Sequence, residues 1–255
     1  MTDVVLTEAD ADGVLTVTIN RPEVKNAINH EVAEGIAEAM DRLDNDDSLT
    51  VGILTGAGDT FSAGMDLKGF LAGNKPTLPG RGFGGLTEKP PAKPLIAAVE
   101  GWALAGGFEL ALASDIIVAS TSARFGLPEV KRSLVAAAGG LLRLPKTLPY
   151  SVVMTMALTG DPLTADEAHR HGLLSELTEA GGALEAAHHL ARRIAANGPL
   201  AVRATKEIIA KQAAWTQIEA FEDGRTVASP VFASADAQEG ALAFREKRAP
   251  VWLGR

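Results

Sequence analysis

Glu100-Gly101-Trp102-Ala103-Leu104-Ala105-Gly106-Gly107-Phe108-Glu109-Leu110-Ala111-Leu112-Ala113 opens a buried helix on two glycines and sets a carboxylate in its first turn. Backbone N–H groups at a helix start have no intrahelical partner, so they can stabilise an anion or oxyanion bound at that end of the helix. Gly106 is the natural donor. On these residues alone a second reading stands beside the first: the glycines merely allow close packing, and Glu109 complements the helix dipole. The flanking runs, Leu95 to Val99 and Ile116 to Ala119, are short, largely apolar and suited to buried strands, as is Val51 to Thr55.

Further out, Val14-Leu15-Thr16-Val17-Thr18-Ile19 alternates apolar and hydroxyl side chains, which predicts a half-buried strand ending at Asn20-Arg21-Pro22. Val32, Ile36, Met40 and Leu43 then recur at helical spacing among acidic residues, giving an amphipathic helix. The result is a βα alternation, an α/β chain. Gly69 to Pro94 is crowded with glycine and proline and too long for an ordinary connection, so it is either mobile or functional. Beyond Thr164 the pattern is helical, clearest over Ala183 to Ala196 and Leu200 to Trp215, with Asn197-Gly198-Pro199 between them.

A second glycine-rich segment, Thr55-Gly56-Ala57-Gly58-Asp59-Thr60-Phe61-Ser62-Ala63-Gly64-Met65-Asp66-Leu67, follows a strand. A dinucleotide fingerprint is a poor match, because Phe61 stands at its third glycine, and no Gly-Lys-Ser/Thr follows to make a phosphate loop. A second carboxylate, Glu129, sits on the bend Phe125-Gly126-Leu127-Pro128-Glu129-Val130, ahead of an apolar, glycine-bearing run. Two carboxylates at one pocket can divide acid and base roles. Sequence statistics favour instead a surface ion pair with Lys131 or Arg132. His30-Glu31 begins a zinc pattern whose second histidine is replaced by Glu34; His169, His171, His188 and His189 read as surface residues. Arg245-Glu246-Lys247-Arg248 reads as a solvated helix face that could also meet a phosphate.

The chain has 255 residues and a net charge of -8, which argues against a sequence-independent grip on nucleic acid. Without cysteine it has no disulfide, thiolate metal site or cysteine nucleophile. The N-terminus lacks the basic start and apolar core of a secretory signal, and Glu100, Glu109 and Asp115 interrupt the most apolar stretch, so the expectation is a cytoplasmic protein with no membrane span.

Taken together and in order, Asn20-Arg21-Pro22-Glu23-Val24-Lys25-Asn26-Ala27, Gly58 to Leu67, Gly106-Gly107-Phe108-Glu109-Leu110-Ala111, Phe125-Gly126-Leu127-Pro128-Glu129 and Glu239 to Arg248 resemble the enoyl-CoA hydratase/isomerase (crotonase) family. The resemblance covers nearly the whole chain. It implies a crotonase (ClpP/crotonase-like) fold of repeated ββα units over residues 1–195, with a helical region at 196–255 used for assembly as a homotrimer or a dimer of trimers. It implies an acyl-CoA thioester substrate whose carbonyl oxygen lies between the N–H groups of Met65 and Gly106. Glu109 would activate water for attack at C3 and Glu129 would deliver a proton to C2, a syn hydration of a 2-enoyl-CoA.

By the same resemblance, Lys25, Ala27, Ala63, Asp66 and Leu67 lie along the adenine and pantetheine of CoA, and Phe244 and Lys247 reach the nucleotide from a neighbouring subunit. No metal or redox cofactor is implied; CoA is part of the substrate. Met65, Ser133 and the run Val135 to Gly140 depart from the commoner family residues. Gly82-Phe83-Gly84-Gly85-Leu86-Thr87 resembles carnitinyl-CoA dehydratase-like members, which makes that chemistry, or isomerisation, the alternative. A non-catalytic acyl-CoA-binding or RNA-associated relative is a third reading, against which the intact glutamates and the acidic charge argue.

Overall fold

A computed structural model describes residues 3–216 and 219–255. The alternating segment forms β2 (Val14–Ile19), preceded by β1 (Val5–Ala9) and followed by α1 (His30–Asn45), β3 (Val51–Gly56) and the short α2 (Leu67–Leu71). A hairpin of β4 (Thr77–Leu78) and β5 (Gly82–Phe83) leads to β6 (Leu95–Val99), β7 (Trp102–Leu104) and α3 (Gly106–Ala113). Next come β8 (Ile116–Ser120), β9 (Arg124–Gly126), α4 (Gly140–Arg143), α5 (Tyr150–Thr159), β10 (Leu163–Thr164), α6 (Ala165–Arg170) and β11 (Glu176–Thr178). Helices α7 (Ala183–Ala195), α8 (Pro199–Lys211), α9 (Glu219–Phe232) and α10 (Ala235–Glu246) end the chain.

Six strands form one sheet in the order β1-β2-β3-β6-β8-β11, antiparallel at β1 and parallel elsewhere. The expected strands at 51–55, 95–99 and 116–119 are its centre, paired with Ile53 opposite Ile96 and Ala97 opposite Ile117. A second sheet, β10-β9-β7, takes the strands that follow β6 and β8, so the chain repeats strand, strand, helix.

The prediction that β2 is half-buried is corrected. Leu15, Val17 and Ile19 pack with Val32, Ile36 and Met40 of α1, while Val14 packs on the other face with Ala186, Ala187 and Ala191 of α7. The hydroxyl face meets a helix rather than water: Thr16 is 9% exposed and its Oγ1 lies 3.3 Å from His188 Nε2. His188 is therefore a half-buried partner of the sheet and not the surface residue that its sequence neighbourhood predicts.

Within the Gly/Pro-rich 69–94 stretch, residues 82–87 pack against the core, while Phe70 and Leu71 are exposed. Phe83 and Leu86 are buried, and Gly85 presses on α1, where an added Cβ would stand 2.2 Å from the Ala33 carbonyl oxygen at a backbone φ of +67°. We expect Gly85→Ala to destabilise the fold by ~2–4 kcal/mol, from left-handed strain plus a backbone clash, read as a lower midpoint in urea unfolding.

Candidate active site

The glycine-rich segment after β3 is drawn alongside β7 by backbone hydrogen bonds. Phe61 N–H donates to Glu100 O at 2.8 Å, Ser62 N–H to Trp102 O at 2.9 Å and Leu104 N–H to Ser62 O at 3.0 Å. Its far side pairs with the turn before α1, through Ala63 N–H to Lys25 O at 2.9 Å, Ile28 N–H to Gly64 O at 2.8 Å and Asp66 N–H to Ile28 O at 2.9 Å. Three segments distant in sequence thus lie side by side.

Two buried polar residues fasten this junction. Asn26 donates from Nδ2 to Ala57 O at 2.9 Å and Thr60 O at 2.6 Å, and its Oδ1 accepts the Arg21 N–H at 2.9 Å. Ser62 Oγ donates to Asn26 O at 2.8 Å and accepts the Gly64 N–H at 3.1 Å. Their roles as organisers were not legible in sequence, where Asn26 and Ser62 look like ordinary turn residues.

Gly64 makes the close approach possible. At its φ of +91°, an added Cβ would lie 2.8 Å from Leu104 O and 3.1 Å from Gly106 N. Ala105, the residue before α3, is held at φ 50° and ψ -129° by its N–H bond to Gly126 O at 2.9 Å and by accepting the Glu109 N–H at 3.0 Å. Such a conformation costs about 1–3 kcal/mol and persists where its surroundings over-determine it. It turns Gly106 out of the strand. Among the described residues neither the Met65 nor the Gly106 N–H has an acceptor.

Met65, Gly106, Glu109 and Glu129 line one cavity of about 670 Å³, whose apolar wall includes Phe83 and Leu134. Phe83 stands directly against Gly106, where a Cβ would lie 2.4 Å from its ring. Glu109 is 2% exposed, and its Oε1 accepts the Gly140 N–H at 2.9 Å. Burial pushes its pKa up to about 7; the Gly140 N–H opposes this, and the Glu129 charge adds to it. Glu109 therefore faces a pocket, rather than merely complementing the helix dipole.

Glu129 is the second residue of the 3-10 turn Pro128–Arg132, and burial raises its pKa also. Its Oε2 is buried without a hydrogen-bond partner. The expected surface pairing is absent: Lys131 bonds Asp161 at 2.6 Å, and Arg132 makes no ion pair with Glu129 among the described residues.

Ala63 and Leu67 line the same cavity, and Lys25 and Ala27 lie on the adjoining turn. Asp66 is committed to the scaffold: it caps α2 through the Gly69 N–H at 3.0 Å and pairs with Arg21 at 3.0 Å. Phe244 and Lys247 are not part of this cavity; both are exposed at the end of α10, Phe244 at 88%. In the neighbouring basic cluster, Arg248 is held by Glu239 and Glu246. Sequence reasoning also missed Phe83 and Arg143, although the glycine run at 139–140 marks where α4 approaches Glu109.

Residues 9–255 match the enoyl-CoA hydratase/isomerase family, and the chain belongs to it. It is 43% identical over 254 residues to the carnitinyl-CoA dehydratase of Salmonella typhi, covering 95% of each chain. It is 43% identical over 252 residues to the enoyl-CoA hydratase EchA19 of Mycobacterium tuberculosis, covering 94% of this chain and 93% of that one. The crystal structure of the enoyl-CoA hydratase EchA1 from Mycobacterium marinum superposes with a TM-score of 0.97 at 56% identity, over 99% of this chain and 100% of that one. The fold is the crotonase fold that the motifs imply.

The buried carboxylate makes stability pH-dependent. With a folded pKa of about 7 against ~4.3 unfolded, the associated stability is fully present below ~4.3 and is lost as pH rises through 7. Glu109→Gln keeps an acceptor for Gly140. We expect it to melt ~7–15 °C above the parent at pH 8 and only ~2–4 °C above it at pH 5, followed by calorimetry.

Proposed function

We propose that the chain is an enoyl-CoA hydratase adding water syn across C2=C3 of a 2-enoyl-CoA thioester. One observation carries this reading: a buried carboxylate, Glu109, and a half-buried one, Glu129, line the same cavity as two backbone N–H groups that have no acceptor among the described residues. The thioester oxygen sits between the Met65 and Gly106 N–H groups, where developing negative charge is stabilised; one such donor is worth ~2.7–4 kcal/mol. Glu109, as carboxylate, takes a proton from water while the water oxygen bonds to C3, and the C2=C3 electron pair moves onto the thioester oxygen. As that charge returns, C2 takes the proton of Glu129. The proton left on Glu109 then passes back to Glu129 through water. The pKa of about 7 suits Glu109 to act as base near neutral pH. Acid, base and electrophilic assistance all come from the chain, so the proposed reaction uses no resident metal or redox cofactor.

A second reading, dehydration of a carnitinyl-type acyl-CoA, has support from Glu88, which lines the same cavity and suits a cationic acyl end. Hydration of a panel of 2-enoyl-CoA esters, with carnitinyl-CoA included, separates the two. We expect loss of the conjugated thioester absorbance, an acid limb in kcat/KM near pH 7, and a drop of ~10²–10⁴ for Glu109→Gln or Glu129→Gln. No turnover of any enoyl-CoA would refute the first reading, and turnover of carnitinyl-CoA alone would establish the second.

The proposed assembly is a homotrimer or dimer of trimers through residues 196–255, with Phe244 and Lys247 reaching the CoA of a neighbouring subunit. Phe221, Phe232 and Phe244 on α9 and α10 are all more than 70% exposed, an apolar surface suited to burial between copies. The proposed setting is cytoplasmic degradation of fatty or related acyl-CoA. The described residues contain no helix long and apolar enough to cross a membrane. We expect a trimer or hexamer by light scattering, and Lys247→Ala weakening CoA binding in the assembly; unchanged affinity would refute the trans contact.

A further inference from the structure

Arg143 is a half-buried cation that the proposed chemistry does not use. Its Nη2 donates to Thr87 O at 2.6 Å and its Nη1 to Ala138 O at 3.4 Å. The Nη1 end of the guanidinium lies against Gly139, where an added Cβ would come within 2.1 Å of it, and the Arg143 N–H bonds back to Gly139 O at 3.0 Å. The turn so fastened, Ala138-Gly139-Gly140, is the one that supplies the Gly140 N–H to Glu109. Among the described residues no carboxylate lies within ion-pairing distance of Arg143.

A half-buried charge without an ion pair is costly unless something nearby uses its field. The acidic group whose charge Arg143 feels is Glu109. We propose that Arg143 is a positioning residue for Glu109, clamping the Gly139-Gly140 turn to the 83–87 segment and holding a positive charge behind the carboxylate. The fork of the guanidinium reaches both carbonyls at once, which a lysine ammonium cannot do. The other charged groups facing Glu109 or lining its cavity are Glu129 from the 3-10 turn, Arg132 from the same turn and Glu88 from the segment after β5. Glu129 acts on Glu109 in the opposite sense: its charge disfavours the carboxylate, and that of Arg143 favours it.

This inference rests on the hydratase reading for its kinetic test, so a second readout needs no turnover. The kcat/KM of the whole protein toward crotonyl-CoA is measured against pH for the parent, Arg143→Gln and Arg143→Lys. Butyryl-CoA binding is measured alongside, and Glu109 is titrated by carbon-13 NMR of labelled glutamate, assigned with Glu109→Gln. Removing the cation should raise the Glu109 pKa, moving the acid limb and the NMR midpoint upward by about one unit. Loosening the turn should lower kcat ~10–100-fold while butyryl-CoA affinity changes less than ~3-fold. Arg143→Lys should restore the limb and midpoint but not kcat, a split that general destabilisation would not produce.

An active parent whose limb and midpoint stay fixed in Arg143→Gln overturns the proposal. If the glutamine variant does not fold, parental kcat in Arg143→Lys overturns the clamp. A parent inactive on every enoyl-CoA refutes the hydratase reading instead, and the NMR midpoint then decides the Arg143 proposal by itself.

Discussion

The approach of the 61–66 segment to β7 is the constraint on which the site depends. Its backbone hydrogen bonds set the segment beside β7, and the turn before α1 is zipped to its other side. Glycine at 64 lets the two chains come within van der Waals contact of each other, so that the Met65 and Gly106 N–H groups open on one cavity. The donors belong to the backbone, so the proposed electrophilic half of the site is fixed by chain path rather than by side-chain identity. That accommodates Met65, whose side chain differs from the commoner family residue while its N–H is placed all the same.

The half that we propose handles protons is built on a different principle. Glu109 and Glu129 are both carried into a largely apolar cavity, where burial disfavours their charged forms and the charge of Glu129 further disfavours that of Glu109. Backbone N–H groups of Gly140 and Ala138 and the field of Arg143 offset part of this at Glu109. Fold stability is lowered by holding an ionised carboxylate there at neutral pH, and basicity near pH 7 is what the proposed mechanism draws from it. Rigid surroundings make this tenable: α3 is buried almost throughout, with Phe108 against Phe125 at 5.3 Å between ring centres.

Much of the fold was legible because it follows from periodicity. The central strands at 51–56, 95–99 and 116–120 are apolar runs bounded by breakers, and α1 and α7 show helical spacing. The short strands β4, β5, β7, β9 and β10 were not, since two- and three-residue strands leave no period to read and exist only through their partners. Burial of β2 on both faces escaped for a related reason: threonine alternation looks the same whether the hydroxyl face meets water or a helix such as α7. The 69–94 stretch shows the same limit, because its breakers exclude long elements but do not reveal that Phe83, Gly84 and Gly85 press against Gly106, Leu110 and Ala33.

Sequence by itself determined the chemical inventory. An acidic, cysteine-free chain, a glycine pair opening a buried helix, a carboxylate in that helix's first turn and a second on a proline-fixed bend are all local facts, and their order carried the family resemblance. Tertiary structure alone decided that Glu109 and Glu129 share a cavity, that Lys131 turns away to Asp161, and that Asn26, Ser62, Phe83 and Arg143 hold the site in shape. The physical reason is range. Helix starts, turns and apolar periods are settled by residues a few positions apart, whereas desolvation, close backbone approach and electrostatic coupling arise between groups that only the folded chain brings together.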